Sequence, residues 1–173
     1  MQHSLVFTFI SDDRPGIVER ISSTVASHGG NWLESRMTKL AGKFAGIVQV
    51  SIPDEQRKDL EEALQQLSAE GLSILSGEVT PDKGTVAHEM VRLSIIGLDR
   101  PGIVREISQL LAEKKINVAE MHSVIESAPM TGEPLFRADI DIQKPLSLSL
   151  ETLRDLFDAI GNRLDLDWNL EKR

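Results

Sequence analysis

One hexapeptide occurs twice in this chain of 173 residues: Asp13-Arg14-Pro15-Gly16-Ile17-Val18 returns unchanged, 86 positions later, as Asp99-Arg100-Pro101-Gly102-Ile103-Val104. The same offset aligns further identities: Ile21-Ser22 with Ile107-Ser108, Asn31 with Asn117, and Glu34 with Glu120. The repeat is longer than the roughly 20 to 50 residues of a solenoid unit, so it indicates the duplication of a whole module.

The two copies are expected to be separate domains joined by a short linker. Pro, Gly and charged residues cluster between Thr80 and His88, where the apolar periodicity lapses. We therefore predict a first domain over residues 1–80, a linker over 81–89 and a second domain over 90–173. A domain of about 80 residues buries a modest share of its surface, which favours pairing between modules.

Hydrophobic periodicity predicts the same order of elements in each copy, β-α-β-β-α-β. The first copy is predicted to contain elements at 5–10, from Pro15, at 31–40, 44–52, 54–69 and 72–79. The second is predicted to contain elements at 90–96, around Ile103, at 118–125, 136–142, 148–163 and 166–170. The first strand of each copy is apolar enough to predict burial on both of its faces. This order predicts an α+β, ferredoxin-like fold, with an antiparallel sheet and both helices on one face.

The other face of each sheet is expected to carry partly apolar side chains. Such a face favours association of modules, either within one chain or as a homo-oligomer. The hairpins differ between the copies, because the first has the short turn Ala41-Gly42-Lys43 and the second a longer loop, residues 127–134. Long loops with an adaptable apolar side chain are typical of partner contacts, although a mobile linker explains the sequence equally well. The partner-contact residues predicted in this loop are Pro129, Met130, Thr131 and Gly132.

The composition excludes several classes of function. The formal net charge is −8, the pI is near 5.0, and the Lys and Arg residues are scattered, so direct binding of nucleic acid is not expected. There is no cysteine, which excludes disulfides, thiolate nucleophiles and cysteine-ligated metals. The sequence contains neither a recognisable signal peptide nor the roughly 18 consecutive apolar residues of a membrane span. We therefore expect a cytoplasmic protein without membrane contact.

No motif for catalysis, a cofactor or a metal is recognisable. The phosphate-binding loop, the dinucleotide-binding glycine motif and the nucleophile elbow are all missing from the sequence. The four histidines are too widely spaced for a helical metal site; they are His3, His28, His88 and His122. Asp139 and Asp141 alternate along a predicted strand and are interpreted as a solvated face rather than an acid–base pair. The sequence thus predicts no enzyme activity, no cofactor and no metal.

The repeated module resembles the ACT domain family of small-molecule-sensing regulatory modules. The resemblance depends on the predicted β-α-β-β-α-β order, the hexapeptide at the first strand-to-helix junction, and the Asn at the start of the second strand. Two such modules without an attached enzyme, together with residues 129–136, also resemble a family of tandem-ACT transcriptional repressors of glycine cleavage genes. That resemblance implies a co-repressor that contacts a DNA-bound activator, with glycine as the metabolite that modulates the contact.

The junction that contains the hexapeptide has the chemistry to bind an amino acid. Proline presets the backbone at the first residue of a helix, so the first helix is expected to begin at Pro15 and to offer free amides to a carboxylate. Asp13 would accept a bond from the ligand's ammonium group, and Asn31 would supply a donor and an acceptor. The predicted ligand-binding residues are Asp13, Arg14, Gly16, Ile17, Asn31, Gly97, Asp99, Arg100, Gly102, Ile103 and Asn117.

The purely structural alternative is that the Asp residues cap the helices and the Asn residues make local turn bonds. If one copy binds no ligand, the second is favoured as the active one, because Gly97 would leave its loop free. Two functions from different classes remain open from the sequence. One is the amino-acid-responsive co-repressor, and the other is a free-standing regulatory subunit that binds a metabolic enzyme and transmits feedback control.

Overall fold

The computed structural model describes residues 2–79 and 87–172. The chain divides into two compact units, Met1–Asp82 and Lys83–Arg173, called here the first and the second unit. Residues 81–86 of the predicted linker lie outside the described residues. The first strand of the second unit begins at His88, so the last two residues of the predicted linker, 88 and 89, are in that strand.

The described elements follow the predicted order in both units. The first unit contains β1 (Gln2–Asp12), α1 (Ile17–Ser27), β2 (Asn31–Leu40), β3 (Lys43–Pro53), α2 (Arg57–Gln66) and β4 (Ser73–Glu78). The second unit contains β5 (His88–Leu98), α3 (Ile103–Glu113), β6 (Asn117–Ser127), β7 (Pro134–Pro145), α4 (Leu150–Leu164) and β8 (Leu166–Lys172). In the first unit, short 3₁₀ segments flank α2, so that the predicted helix 54–69 has an α-helical centre and tighter ends.

Each unit has one four-stranded sheet, in the order β2-β3-β1-β4 or β6-β7-β5-β8. All the neighbouring strands run antiparallel. The registers of the two sheets correspond, since Asp12 lies opposite Lys43 in the first and Leu98 opposite Leu135 in the second. This is the ferredoxin-like α+β fold predicted from the sequence.

One face of each sheet packs on the helices to form the core. Along β1 the buried apolar side chains are Leu5, Phe7 and Phe9, and they cluster with residues of both helices of the first unit. The alternate residue Ile10 is 48% exposed, as expected for side chains that alternate across a strand. The prediction that both faces of this strand are buried is therefore wrong within a unit. The open face still carries apolar side chains, among them Ile10, Ile47 and Leu75 in the first unit.

Helix α1 begins two residues later than predicted. Gly16 has φ of +92°, a left-handed conformation that an α-helix cannot include, so the first helical residue is Ile17. Gly102 has φ of +99° and Ile103 begins α3, which reproduces the same start in the second unit. Glycine is required at both positions because other L-residues are strained there. No helix in the part of the chain that the structure describes is long and apolar enough to cross a membrane.

Candidate ligand site at the strand-to-helix junction

In each unit the hexapeptide forms the junction between the first strand and the first helix. The backbone N–H of Asp13 donates to the carbonyl of Gly42, at 2.9 Å. The backbone N–H of Asp99 donates to the carbonyl of Pro134 at the same distance. The junction is thereby fixed against the end of the neighbouring hairpin, at one end of the sheet.

The N-termini of α1 and α3 are uncapped by side chains. The Gly16 carbonyl accepts from the Arg20 amide and the Gly102 carbonyl accepts from the Glu106 amide, but neither helix has a side-chain cap. The preceding Asp residues therefore do not cap these helices, contrary to the purely structural alternative. The first amides of each helix keep the capacity to bind an external acceptor, and the helix dipole favours an anion there.

The second unit has an open groove of about 510 Å³ beside its junction. Its lining comprises Asp99, Arg100, Gly102, Ile103, Val104, Arg105, Ser123, Val124, Ile125 and Phe136. Within residues 2–79 and 87–172, the side chains of Asp99, Arg100 and Arg105 have no hydrogen-bond or ion-pair partner. The groove thus combines one uncommitted carboxylate, two uncommitted guanidinium groups and an apolar wall.

The charged groups at the junction of the first unit are already paired. The Lys39 ammonium contacts the Asp13 carboxylate, and the Arg14 guanidinium donates to the backbone carbonyl of Glu70. Arg20 Nε donates to both carboxylate oxygens of Glu70, at 3.0 and 3.2 Å, which holds the pKa of Glu70 below its ordinary value. The cavity at this junction measures about 210 Å³ and is bordered by Glu70 on the side of β4.

Two substitutions between the copies account for the pairing of Asp13 and of Arg20, whereas the bond from Arg14 is to a main-chain carbonyl and does not depend on the side chain at position 70. Lys39 lies opposite Phe44 in the first sheet, and the equivalent residue opposite Phe136 in the second sheet is Ile125. Glu70 precedes the left-handed residue Gly71 at the end of its helical segment. In the second unit Leu164 precedes the left-handed Asp165 at the same point of the fold. Apolar side chains therefore stand where the first unit supplies an ammonium group and a carboxylate.

The predicted Asn residues are not close to the junction of their own unit. Asn31 lies opposite Ser51, which pairs with Ser4, eight residues before Asp12 along β1. A strand rises about 3.3 Å per residue, which places Asn31 roughly 26 Å from the junction. Asn117 lies at the equivalent end of the second sheet, where its side-chain amide donates to Gln143 Oε1 at 3.0 Å. The prediction that Asp and Asn meet around one ligand is therefore not met within a single unit.

The structure explains the glycine at position 97 differently from the sequence-based prediction. It lies within β5, paired with Phe136 and Leu166, rather than in a loop. A Cβ at this position would come within 2.7 Å of the Asp165 carbonyl oxygen, so glycine allows β8 to approach. The interpretation that Gly97 frees a loop for the ligand is wrong.

The long hairpin loop of the second unit is closed by its own backbone. Ala128 donates to the Glu133 carbonyl at 2.8 Å, and Gly132 donates to the Ala128 carbonyl at 2.9 Å. Thr131 Oγ1 accepts from the Glu133 amide at 3.4 Å, and Gly132 has φ of +72°. Met130 is 97% exposed at the tip. Pro129, Met130, Thr131 and Gly132 lie in this hydrogen-bonded, accessible loop, and their contact with a partner stays a prediction.

The interpretation of Asp141 as part of a solvated face is wrong. Asp141 is 3% exposed and accepts two hydrogen bonds from Arg92, at 2.8 and 3.0 Å. Asp139 is exposed and accepts from Ser94 at 2.6 Å. No cluster of His, Asp or Glu with the geometry of a metal site occurs in the ranges 2–79 and 87–172.

Sequence reasoning missed three residues that matter at the junctions: Lys39, Glu70 and Arg105. Arg105 follows the second hexapeptide directly, and the equivalent residue in the first copy is Glu19. That reversal of charge was visible in the repeat alignment. Lys39 and Glu70 reach the junction from other elements of the fold, so only the tertiary structure shows their role.

Comparison with known proteins identifies the module. The sequence matches the ACT domain family over residues 3–74 and again over residues 91–158. The chain therefore belongs to the ACT domain family and carries two ACT domains in tandem.

The similarity to known proteins extends over both domains. A protein of Escherichia coli (strain K12) named glycine cleavage system transcriptional repressor is 27% identical over 165 residues, covering 95% of this chain and 87% of that protein. The protein of the same name from Shigella flexneri matches to the same extent. The crystal structure of an unknown protein from Galdieria sulphuraria superposes with a TM-score of 0.84 and 29% identity, covering 100% of this chain and 99% of that chain.

Proposed function

We propose that this chain is a non-catalytic, amino-acid-responsive regulator. More specifically, it is a cytoplasmic co-repressor of glycine cleavage genes that contacts a DNA-bound transcriptional activator and does not bind nucleic acid itself. The name of the relatives that align with 95% of the chain supports this assignment. The net charge of −8 also favours a protein partner over the phosphate backbone of DNA.

The observation that carries the amino-acid response is the set of uncommitted charges in the groove of the second unit. Asp99 is suited to an ammonium group, and Arg100, Arg105 and the uncapped start of α3 are suited to a carboxylate. A zwitterionic amino acid offers both groups together. Glycine is the favoured member of this class because of the relatives' name, although the groove also has room for a side chain.

Four further residues that the sequence predicts as ligand contacts lie in two different places. Gly102 and Ile103 line the groove, whereas Asn31 and Asn117 lie at the far end of their own sheets. The open sheet faces, with exposed apolar residues such as Ile47 and Leu75, support the proposed pairing of modules. Pairing would give the Asn residues a ligand-binding role only at a junction on a neighbouring module.

A thermal-shift screen of the full chain against the twenty amino acids tests the response. A ligand that binds only the folded protein stabilises it by about 2.7 kcal/mol at 100 times its dissociation constant, so glycine is expected to raise the melting temperature. The response is contradicted if no amino acid raises it. If another amino acid raises the melting temperature and glycine does not, the choice of glycine as the ligand is contradicted, but the amino-acid response is not.

Affinity purification from cell extract tests the partner. The proposal expects a transcriptional activator as the main captured protein, in an amount that changes when glycine is added. The matched variant lacks residues 130–133, and it is expected to capture less of the activator because the exposed loop around Met130 has been removed. A metabolic enzyme as the main captured protein would contradict co-repression and indicate the enzyme-bound regulatory subunit instead.

A further inference from the structure

The two junctions have the same backbone but opposite states of their charged groups. In the first unit, the ammonium of Lys39 contacts the Asp13 carboxylate, which is the contact that a ligand's ammonium would make. The backbone carbonyl of Glu70 accepts a hydrogen bond from Arg14, and the Glu70 carboxylate accepts hydrogen bonds from Arg20. The first unit therefore provides internal substitutes for both charged ends of an amino acid.

A tethered substitute competes with a free ligand. The Lys39–Asp13 pair is exposed, and such pairs contribute little to stability by themselves. A group on the same chain nevertheless acts at an effective concentration on the order of millimolar, because it cannot diffuse away. A free amino acid at a comparable concentration must displace Lys39 before it can reach Asp13.

The second unit has no such competitor at the equivalent positions. Ile125 stands in place of Lys39, and Leu164, which is buried in the core, stands in place of Glu70. Arg105 in place of Glu19 adds a positive charge to the groove. Glu106, at the position of Arg20, instead pairs with Arg163 of α4, at 3.1 Å. The charges at the mouth of this groove are therefore available to a ligand.

We infer that each chain binds one free α-amino acid, in the groove of the second unit, and that the first unit closes its own copy of the site with Lys39 and Glu70. This inference rests on the amino-acid response proposed above and adds its location and stoichiometry. The first ACT domain then keeps the shared fold without binding a ligand.

Isothermal titration of the full chain with glycine, repeated with alanine and valine, tests the location. The unmodified protein is expected to bind one ligand per chain. Ile125→Lys places an ammonium group beside Asp99, as Lys39 stands beside Asp13, and is expected to weaken binding severalfold, the effect of a competing exposed ion pair. The matched control is Val118→Lys, which adds the same charge at the far end of β6 and is expected to leave the affinity unchanged. Undiminished binding in Ile125→Lys would overturn the assignment.

The reverse exchange tests the closed state of the first unit. Lys39→Ile combined with Glu70→Leu introduces the residues of the second unit and is expected to raise the stoichiometry to two per chain. Both original side chains are at least 40% exposed, so the exchange leaves the core intact, and circular dichroism verifies the fold. A stoichiometry that stays at one in the double variant overturns the closure by these two residues.

The outcomes separate this inference from the proposed function. Two ligands per unmodified chain would remove the inference and leave the amino-acid response standing. No binding of glycine, alanine or valine to the unmodified chain would remove both. One ligand per chain, bound more weakly by Ile125→Lys and doubled in number by the reverse exchange, supports both.

Discussion

The two ACT domains differ most sharply at one buried position of the third strand. In the first unit Ile52, fully buried, lies opposite His3, and in the second unit Lys144, 2% exposed, lies opposite Glu89. The Lys144 ammonium contacts Glu89 at 2.6 Å and donates to the Leu148 carbonyl at 2.9 Å. The same backbone accepts an apolar or a charged side chain here because the second unit supplies the partners that a buried charge requires.

At the other end of the sheets the difference is reversed, because there the first unit has the ion pair and the second unit has apolar residues. Asp12 pairs with Lys43 across the first sheet, whereas the equivalent residues of the second sheet are Leu98 and Leu135. Duplication has thus preserved register and turn geometry while the polar contacts have been redistributed. The lesson is that an identical hexapeptide does not imply an identical site, since the residues that complete it come from elsewhere in the fold.

The largest expected effect follows from exchanging the buried residues. Ile52→Lys would place an ammonium group opposite His3 rather than a carboxylate, and we expect a loss of about 3–5 kcal/mol in the free energy of unfolding, because an unpaired buried charge is strongly destabilising. Urea denaturation of the full chain measures the loss. Lys144→Ile combined with Glu89→His, which introduces both residues of the first unit, is the matched control, expected to be neutral or stabilising because no half of the ion pair is left behind. Adding His3→Glu to Ile52→Lys should restore part of the stability. If Ile52→Lys left the free energy of unfolding unchanged, a buried ammonium group at this position would not need partners such as Glu89.

A smaller, symmetrical effect is expected at the two junctions. Gly16→Ala and Gly102→Ala each force a side chain into the left-handed region, which costs roughly 1–2 kcal/mol. Both variants should lower stability by a similar amount in urea denaturation, because the φ angles are +92° and +99°. Gly77→Ala is the control, since a Cβ there meets open space and the residue is not among the glycines with positive φ. Unequal losses at the two junctions would mean that they are not equivalent in backbone.

The pH dependence is expected to distinguish the units. The hydrogen bond from Arg20 lowers the pKa of Glu70 below its ordinary value of 4.5, so the stabilisation is present above that pH and is lost as the pH falls through the lowered pKa. Glu70→Gln should therefore lower the melting temperature slightly at pH 6, and the difference from the unmodified protein should vanish in acid. Leu164, the equivalent residue, titrates no proton. A difference that persists below the lowered pKa would contradict the role of the Arg20–Glu70 pair.

The smallest effect is expected for Asn117→Ala. This variant loses one exposed hydrogen bond to Gln143, and surface changes of this kind stay within about 0.5 kcal/mol. Calorimetry with glycine should give an unchanged affinity if the ligand contacts only the junction, roughly 26 Å away along the sheet. A clear loss of affinity would instead indicate that a neighbouring module brings its Asn to the site.

The sequence by itself determined the duplication, the order of the elements and the face of each helix that enters the core. These features are local or periodic, and so they can be recognised in short windows, as at Ile17, Ile21 and Val25 on α1. The left-handed glycine of each junction is also a local feature, but the sequence-based prediction placed the start of the helix at Pro15 and did not include this conformation of Gly16.

Only the tertiary structure decided which charged groups are free. Lys39 reaches Asp13, and Glu70 reaches Arg20 across 50 positions of sequence, because strand register and helix packing bring distant residues together. The same register separates Asn31 from Asp13 and buries Asp141 against Arg92. Pairing across a fold depends on geometry that no single segment contains, and in this chain it makes two identical hexapeptides chemically different.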